Sequence, residues 1–215
     1  MSGVRWAVDL GAENGGYYGT LPKYKYYRWR AEGHNTVIIQ PSLDHNHDPF
    51  KVGKLKSMDH DDKCSYAIYD FTDKLAYKGA TMWKRGYKIN KVTGGCIVQD
   101  ELKAKKMVEY YWNMHTLADI ELINDGKSAI LTQDGKKIQL NLISDKHLCF
   151  EARKAEPLPT SPQRTDPAES DNSKFKKLVV HAEGVKEINM AVEFISMDYV
   201  SSLKYTPLDM WNSEN

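Results

Sequence analysis

Two closely spaced turn signals, Asn124-Asp125-Gly126 and Asp134-Gly135, constrain this chain more than any other feature. Asparagine, aspartate and glycine accept the positive φ of type I′ hairpin turns, so each signal joins antiparallel neighbours. The flanking runs fit: in Lys137-Ile138-Gln139-Leu140-Asn141-Leu142 every second residue is apolar, which sends one face inward and one to water. Similar alternation recurs from Val4 to Ser196. It predicts strands near 4–9, 35–40, 65–71, 84–91, 95–100, 106–115, 118–123, 128–132, 136–143, 147–152, 176–182 and 187–196. No stretch shows the 3.6-residue apolar stripe of an amphipathic helix. The expected fold is therefore all-β, an antiparallel multi-stranded β-sandwich forming one domain over residues 1–215.

One segment breaks the pattern. Between Lys154 and Lys174 lie Pro157, Pro159, Pro162 and Pro167 among Ser, Thr, Asp and Glu, a composition that cannot sustain a ladder. Strand signals resume at Leu178-Val179-Val180, and the remainder is too short for its own core, so residues 154–174 read as a long polar loop within the domain. Residues 155–173 are expected to be poorly anchored and open to proteolysis. In the tail, Leu208 and Trp211 are expected to pack back on the sheet.

Lysine plus arginine number 30 against 29 acidic residues, a net charge of +1 that gives no field for nucleic acid or an anionic membrane. No apolar run approaches the roughly 20 residues of a membrane span, and Met1-Ser2-Gly3-Val4-Arg5 lacks the pattern of a signal peptide. Cys64, Cys96 and Cys149 form an odd set without Cys-x-x-Cys spacing, read as buried free thiols. The 13 tyrosines and five tryptophans suit sheet packing, and such rings also stack on sugars.

Several polar groups are candidates for chemistry. Asp9 ends the alternating run Arg5-Trp6-Ala7-Val8-Asp9 before Gly11, either to close a turn or to hold a ligand. His34 stands between Gly33 and the strand beginning at Val37, as a satisfied strand-end residue or as a metal ligand. Asp44-His45-Asn46-His47-Asp48 concentrates potential ligands, but Pro41 and Pro49 flank it and it reads as a solvated loop with adventitious metal affinity. His115 and Asp70 lie at strand ends. No phosphate-binding glycine loop or nucleophile elbow is present.

Taken in order, these segments resemble the heparinase II/III family of polysaccharide lyases. The resemblance is carried by Arg5-Trp6-Ala7-Val8-Asp9-Leu10-Gly11 and by Tyr27-Arg28-Trp29-Arg30-Ala31-Glu32-Gly33-His34-Asn35-Thr36. Tyr69-Asp70-Phe71-Thr72, Val98-Gln99-Asp100-Glu101-Leu102 and Trp112-Asn113-Met114-His115-Thr116 follow. It runs through most of residues 3 to 152, and the His-Asn-Thr block is its most specific part. Gln40-Pro41 departs from the Asp-Gly turn that many relatives carry at that point.

The resemblance implies the C-terminal β-sandwich of a two-part lyase whose N-terminal α/α toroid is missing here. Such enzymes cleave uronate-containing polysaccharide by β-elimination in a cleft between the parts. Most catalytic groups come from the toroid, and a further catalytic histidine precedes the segment matched by Arg5 to Gly11, so no catalytic residue is assigned to this chain. Asp9 and His34 match two metal ligands, and a third, a histidine, would lie upstream. A divalent metal such as zinc is thus the implied cofactor, held weakly by two protein ligands. The resemblance suggests a periplasmic or secreted enzyme, and the chain alone is expected to show no turnover. The alternative is a non-catalytic carbohydrate-binding or structural β-sandwich with Tyr24, Tyr26, Tyr27 and Trp29 as stacking platforms.

Overall fold

The computed structural model describes residues 1, 3–13, 25–144, 147–165 and 169–213. Its strands are β1 (Val37–Ile39), β2 (Lys54–His60), β3 (Cys64–Asp70), β4 (Ala80–Asn90), β5 (Cys96–Thr116), β6 (Asp119–Ile123), β7 (Ser128–Gln133), β8 (Lys136–Ser144), β9 (Phe150–Lys154) and β10 (Lys176–Ser196). One helical turn, α1 (Thr72–Leu75), and short 3-10 stretches join them. The hairpins form where the turn signals place them. Asn124, Asp125 and Gly126 have φ of 53°, 53° and 76°, and Asp134 and Gly135 have 52° and 70°. The tight turns set β6 against β7 and β7 against β8 in antiparallel register.

The fold is the expected antiparallel β-sandwich, and two 21-residue strands make it one. The Cys96–Lys103 half of β5 pairs with β4 and with Glu187–Phe194 of β10. Its Tyr110–Thr116 half pairs with β1 and with Lys176–Ala182 of β10. Register shifts between Ala182 and Val185, and again before Glu187, mark the bend. A bulge increases local twist and bends the strand that carries it, so one ladder folds into two layers. The larger runs β2-β3-β4-β5-β10-β8-β7-β6, while β1 and β9 flank the other halves of β5 and β10.

The core lies between the layers. Val37, Ile39, Tyr110, Trp112, Met114, Leu178 and Val180 meet Trp83, Leu102, Leu131, Ile138, Leu140, Ile188, Met190 and Val192. Tyr110 donates its hydroxyl across this interface to Met190 Sδ at 3.4 Å. As expected, the tail returns to the sheet: Leu208 and Trp211 pack on Tyr66 and Ile68. Gly86 makes that possible, since a Cβ there would lie 2.3 Å from the Leu208 side chain.

Several expectations need correction. Residues 3–13 form no strand, although burial still alternates at Trp6, Val8 and Leu10; Val8 N–H bonds the His115 carbonyl at 2.9 Å, but no ladder follows. The pairs 95–100 with 106–115, and 176–182 with 187–196, are each one continuous strand. Strand β2 carries no alternating signal because it is an exposed edge, Lys-Leu-Lys-Ser-Met-Asp-His. The cysteines are free but not buried: Cys64 and Cys96 are half-buried and Cys149 is exposed.

The proline-rich loop is docked, not loose. Apart from 166–168, which lie outside the described residues, it covers the outer face of the smaller layer. Leu158 packs with Ala31, Ile38, Tyr111 and Val179, and Ala155 and Phe175 pack with Val8, Leu10 and Tyr27. Polar anchors finish the contact: Ser161 Oγ donates to Glu32 at 2.7 Å and accepts from Arg30 at 2.8 Å, while Glu169 accepts the Tyr27 N–H at 3.1 Å. Four prolines remove ladder donors but do not prevent apolar side chains from burying.

Candidate functional site

Two loops bring Asp9 and His34 together at one end of the smaller layer. His34 Nδ1 lies 2.9 Å from Asp9 Oδ2, and Asp9 Oδ1 accepts the Gly11 N–H at 2.9 Å. Both side chains stay open to solvent, 63% exposed for Asp9 and 43% for His34. Burial raises the Asp9 carboxyl somewhat, but the Gly11 and His34 hydrogen bonds outweigh it and leave the pKa below the usual value. Asp9 is therefore an anion near neutrality. Because Nδ1 is the imidazole atom that faces Asp9, an ion shared by the two residues would take the place of the hydrogen between Nδ1 and Oδ2.

Asn35 is the clasp that sets this pair. Its Nδ2 donates to the Val8 carbonyl at 3.0 Å and its Oδ1 accepts the His115 N–H at 2.7 Å. One side chain thus ties the residue before Asp9 and the end of β5 to the residue after His34. Behind it, Arg85 Nη1 donates to the Asn35 carbonyl at 3.0 Å. The Arg85 guanidinium forks onto Asp100 with two 2.8 Å bonds, and Trp83 Nε1 adds a third to the same carboxylate. Burial lowers the Arg85 pKa, but the Asp100 charge overcomes it and raises the net value. Alternation shows Arg85 and Asp100 as strand residues without revealing that they pair.

The cleft beside the pair is an open cavity of about 470 Å³ lined by Gly11, Arg28, Trp29, His34, His45 and Pro49. Arg28 is not free to bind an anion there. Each of its three guanidinium nitrogens already donates, to Asn172, Ala12 and Asp171, which ties it to the docked loop and to the segment after Asp9. On the other side of His34 a cavity of about 250 Å³ is walled by Phe71, Trp83 and Tyr87 with Lys74 and Arg85.

The remaining candidates have structural roles. His115 is fully buried: Tyr27 donates its hydroxyl to Nε2 at 2.9 Å, while Nδ1 faces Asn35 Oδ1 at 3.4 Å. Burial, then the charges of Lys177 and His34, lower its pKa to about 3. Tyr27 and His115 have the composition of an acid–base pair, but no substrate can reach them. The Asp44–Asp48 segment is not a solvated loop: Asn46 is fully buried, and His47 Nε2 donates to the Val37 carbonyl at 2.7 Å with its ring against Trp83. Burial lowers the His47 pKa to about 4. Asp70 accepts the Thr72 N–H at 2.9 Å and so turns the chain into α1. Tyr26 and Tyr27 are buried and cannot serve as stacking platforms; Tyr24 lies outside the described residues.

Among the described residues no third His, Cys, Asp or Glu joins Asp9 and His34 in a ligand group; the one triad of such groups is Glu109, His181 and Glu183. One imidazole and one carboxylate suit zinc or another divalent ion, but two ligands are fewer than the three or four of a closed site. His45 lines the same cleft as His34.

No protein-family model and no curated sequence matches the chain. Solved structures do. A heparinase III, the BT4657 gene product with methylated lysines, superposes with a TM-score of 0.65 at 13% identity, over 91% of this chain and 28% of that one. Another heparinase III gives 0.56 at 8% identity, over 79% and 24%, and the heparan sulfate lyase HepC from Pedobacter heparinus gives 0.55 at 8%, over 78% and 25%. The chain spans about a quarter of the length of these proteins. At such identities the likeness is one of fold, and it lies where the sequence resemblance pointed: this chain has the β-sandwich fold found in heparinase III and heparan sulfate lyase HepC.

Proposed function

We propose that this domain is the β-sandwich part of a heparinase II/III-like polysaccharide lyase acting on uronate-containing polysaccharide, with Asp9 and His34 as its share of a metal-binding corner on the substrate cleft. The observation that carries the reading is the exposed Asp9–His34 pair at 2.9 Å, held by the Asn35 clasp. A buried pair of this kind would be structural; an open one beside a cleft is available to a ligand. A divalent ion bound there would place positive charge beside an anionic sugar.

The chain's own residues supply position rather than proton transfer. β-Elimination needs a base for the proton α to the uronate carboxylate and an acid for the leaving oxygen. Tyr27 and His115, whose hydroxyl–imidazole contact has suitable chemistry, are buried inside the domain. The reading therefore places both groups on a helical partner domain.

Heparan sulfate and alginate, as two uronate polymers, provide the test. The isolated chain is expected to retard one of them in an affinity gel, to do so less after His34→Ala, and to release no ultraviolet-absorbing unsaturated product. The product should appear only when a helical toroid domain is joined to the chain. Turnover by the isolated chain would overturn the assignment of roles. Retardation without turnover in any toroid fusion would favour a purely sugar-binding module, for which Trp29 at the cleft wall is the available stacking surface.

A further inference from the structure

A second group of potential ligands lies on the same outer sheet face, about 20 Å along β5 from the Asn35–His115 contact, six strand residues away. His181 on β10 pairs with Tyr111 on β5, and paired residues share a face. Glu109 precedes Tyr111 by two residues and Glu183 follows His181 by two, so alternation returns both to that face. The ladder then loses register between Ala182 and Val185, around Gly184 at φ 62°. The bulge takes Glu183 out of the pairing and sets it beside His181.

We infer that Glu109, His181 and Glu183 form a divalent-cation site of zinc type, separate from Asp9 and His34. One ligand atom from each residue lies within 4.8 Å of the others. Both carboxylates converge on a single imidazole nitrogen: Nε2 is 3.0 Å from Glu109 Oε1 and 3.9 Å from Glu183 Oε1. One Nε2 hydrogen cannot satisfy two carboxylates, whereas a cation can. Arg153, the nearby guanidinium, is already paired with Glu151 at 2.6 Å. One imidazole and two carboxylates, with positions left for water, are the donor set of an open zinc site.

The surroundings support those ligands as an outer shell should. The Tyr111 ring stacks on His181 at 4.2 Å and 9°, fixing the imidazole plane, and its hydroxyl donates to Glu109 at 2.6 Å. Arg153 acts in the opposite sense. Its Nη2 lies 3.5 Å from His181 Nδ1 and favours the tautomer with hydrogen on Nε2. Metal at Nε2 requires the hydrogen on Nδ1, so Arg153 must turn wholly to Glu151 when the ion binds.

Calorimetric titration of the full chain with zinc chloride separates this site from the first when done on the Asp9→Ala/His34→Ala double variant. That variant should still take up one equivalent. Adding Glu183→Gln, at a side chain 77% exposed and free to change without unfolding, should weaken uptake at least tenfold; His181→Ala should abolish it. Tyr111→Phe should weaken it by about 10-fold or more, and Arg153→Gln should strengthen it. Cobalt in place of zinc should give visible d–d bands that vanish with His181→Ala. Absence of uptake in the double variant, or uptake indifferent to both Glu183→Gln and His181→Ala, would overturn the site and leave a histidine–carboxylate hydrogen bond only.

Discussion

The Asp9–His34 and Arg85–Asp100 contacts belong to one network and have nearly equal lengths, 2.9 and 2.8 Å, yet they do different work. Asp9 and His34 are 63% and 43% exposed; Asp100 and Arg85 are 1% and 4%. In the buried pair every charge is matched by a fixed partner, so the contact holds the architecture and can take no ligand. In the exposed pair water competes for each atom, so the contact adds little to stability and can be exchanged for an ion or a sugar. Asn35 joins them, with its carbonyl on Arg85 and its amide on the loop that carries Asp9. Solvent access, more than contact distance, separates scaffold from site.

The largest effect is expected at the buried end. Asp100→Ala leaves a guanidinium and an indole N–H without their acceptor, and should cost about 3–5 kcal/mol in urea unfolding; a loss under about 1 kcal/mol would show that the pair does not hold the sheet. Acid provides the next effect. His47 and His115 titrate near 6.5 when unfolded and at about 4 and about 3 when folded. The unfolded chain therefore binds more protons below pH 6.5, and stability present above that pH falls as pH drops toward 4 and then 3. About 2–3 kcal/mol per histidine should be gone by pH 4, measured by denaturation at stepped pH, whereas a flat profile would place both rings in water.

Asn35→Ala comes third. It strands the Val8 carbonyl and the His115 N–H, so about 1–3 kcal/mol should be lost, together with polysaccharide retardation that Asp9→Ala also removes. Stability loss with retardation intact would mean that Asn35 does not position the pair. The smallest effect belongs to His34→Ala, which should change stability by less than about 1 kcal/mol while weakening ligand binding. A large loss of stability there would make the exposed pair a scaffold element after all.

How much of this the sequence shows depends on whether the cause is local. The hairpins at Asn124–Gly126 and Asp134–Gly135 are legible because the turn residues alone demand positive φ. The fold class follows from the same alternation. Strand β2 was hidden because an exposed edge needs no apolar face. The bend in β5 and β10 makes each read as two strands, since a bulge has no apolar period of its own. The proline-rich loop looked loose because its anchors, Leu158 and Ser161, act through partners more than a hundred residues away, Ile38 and Glu32. In the site, Asp9 and His34 came from resemblance, not from spacing. Arg85, Asp100 and the role of Asn35 required the fold, because each acts through residues distant in sequence.

Anomalous diffraction at the zinc absorption edge from zinc-soaked crystals decides whether Asp9 and His34 form a metal-binding corner. A peak bridging Asp9 and His34, lost in the His34→Ala protein, is the result predicted, with water or His45 completing the shell. A map without density at that pair, under conditions where zinc is bound elsewhere on the same chain, would contradict it.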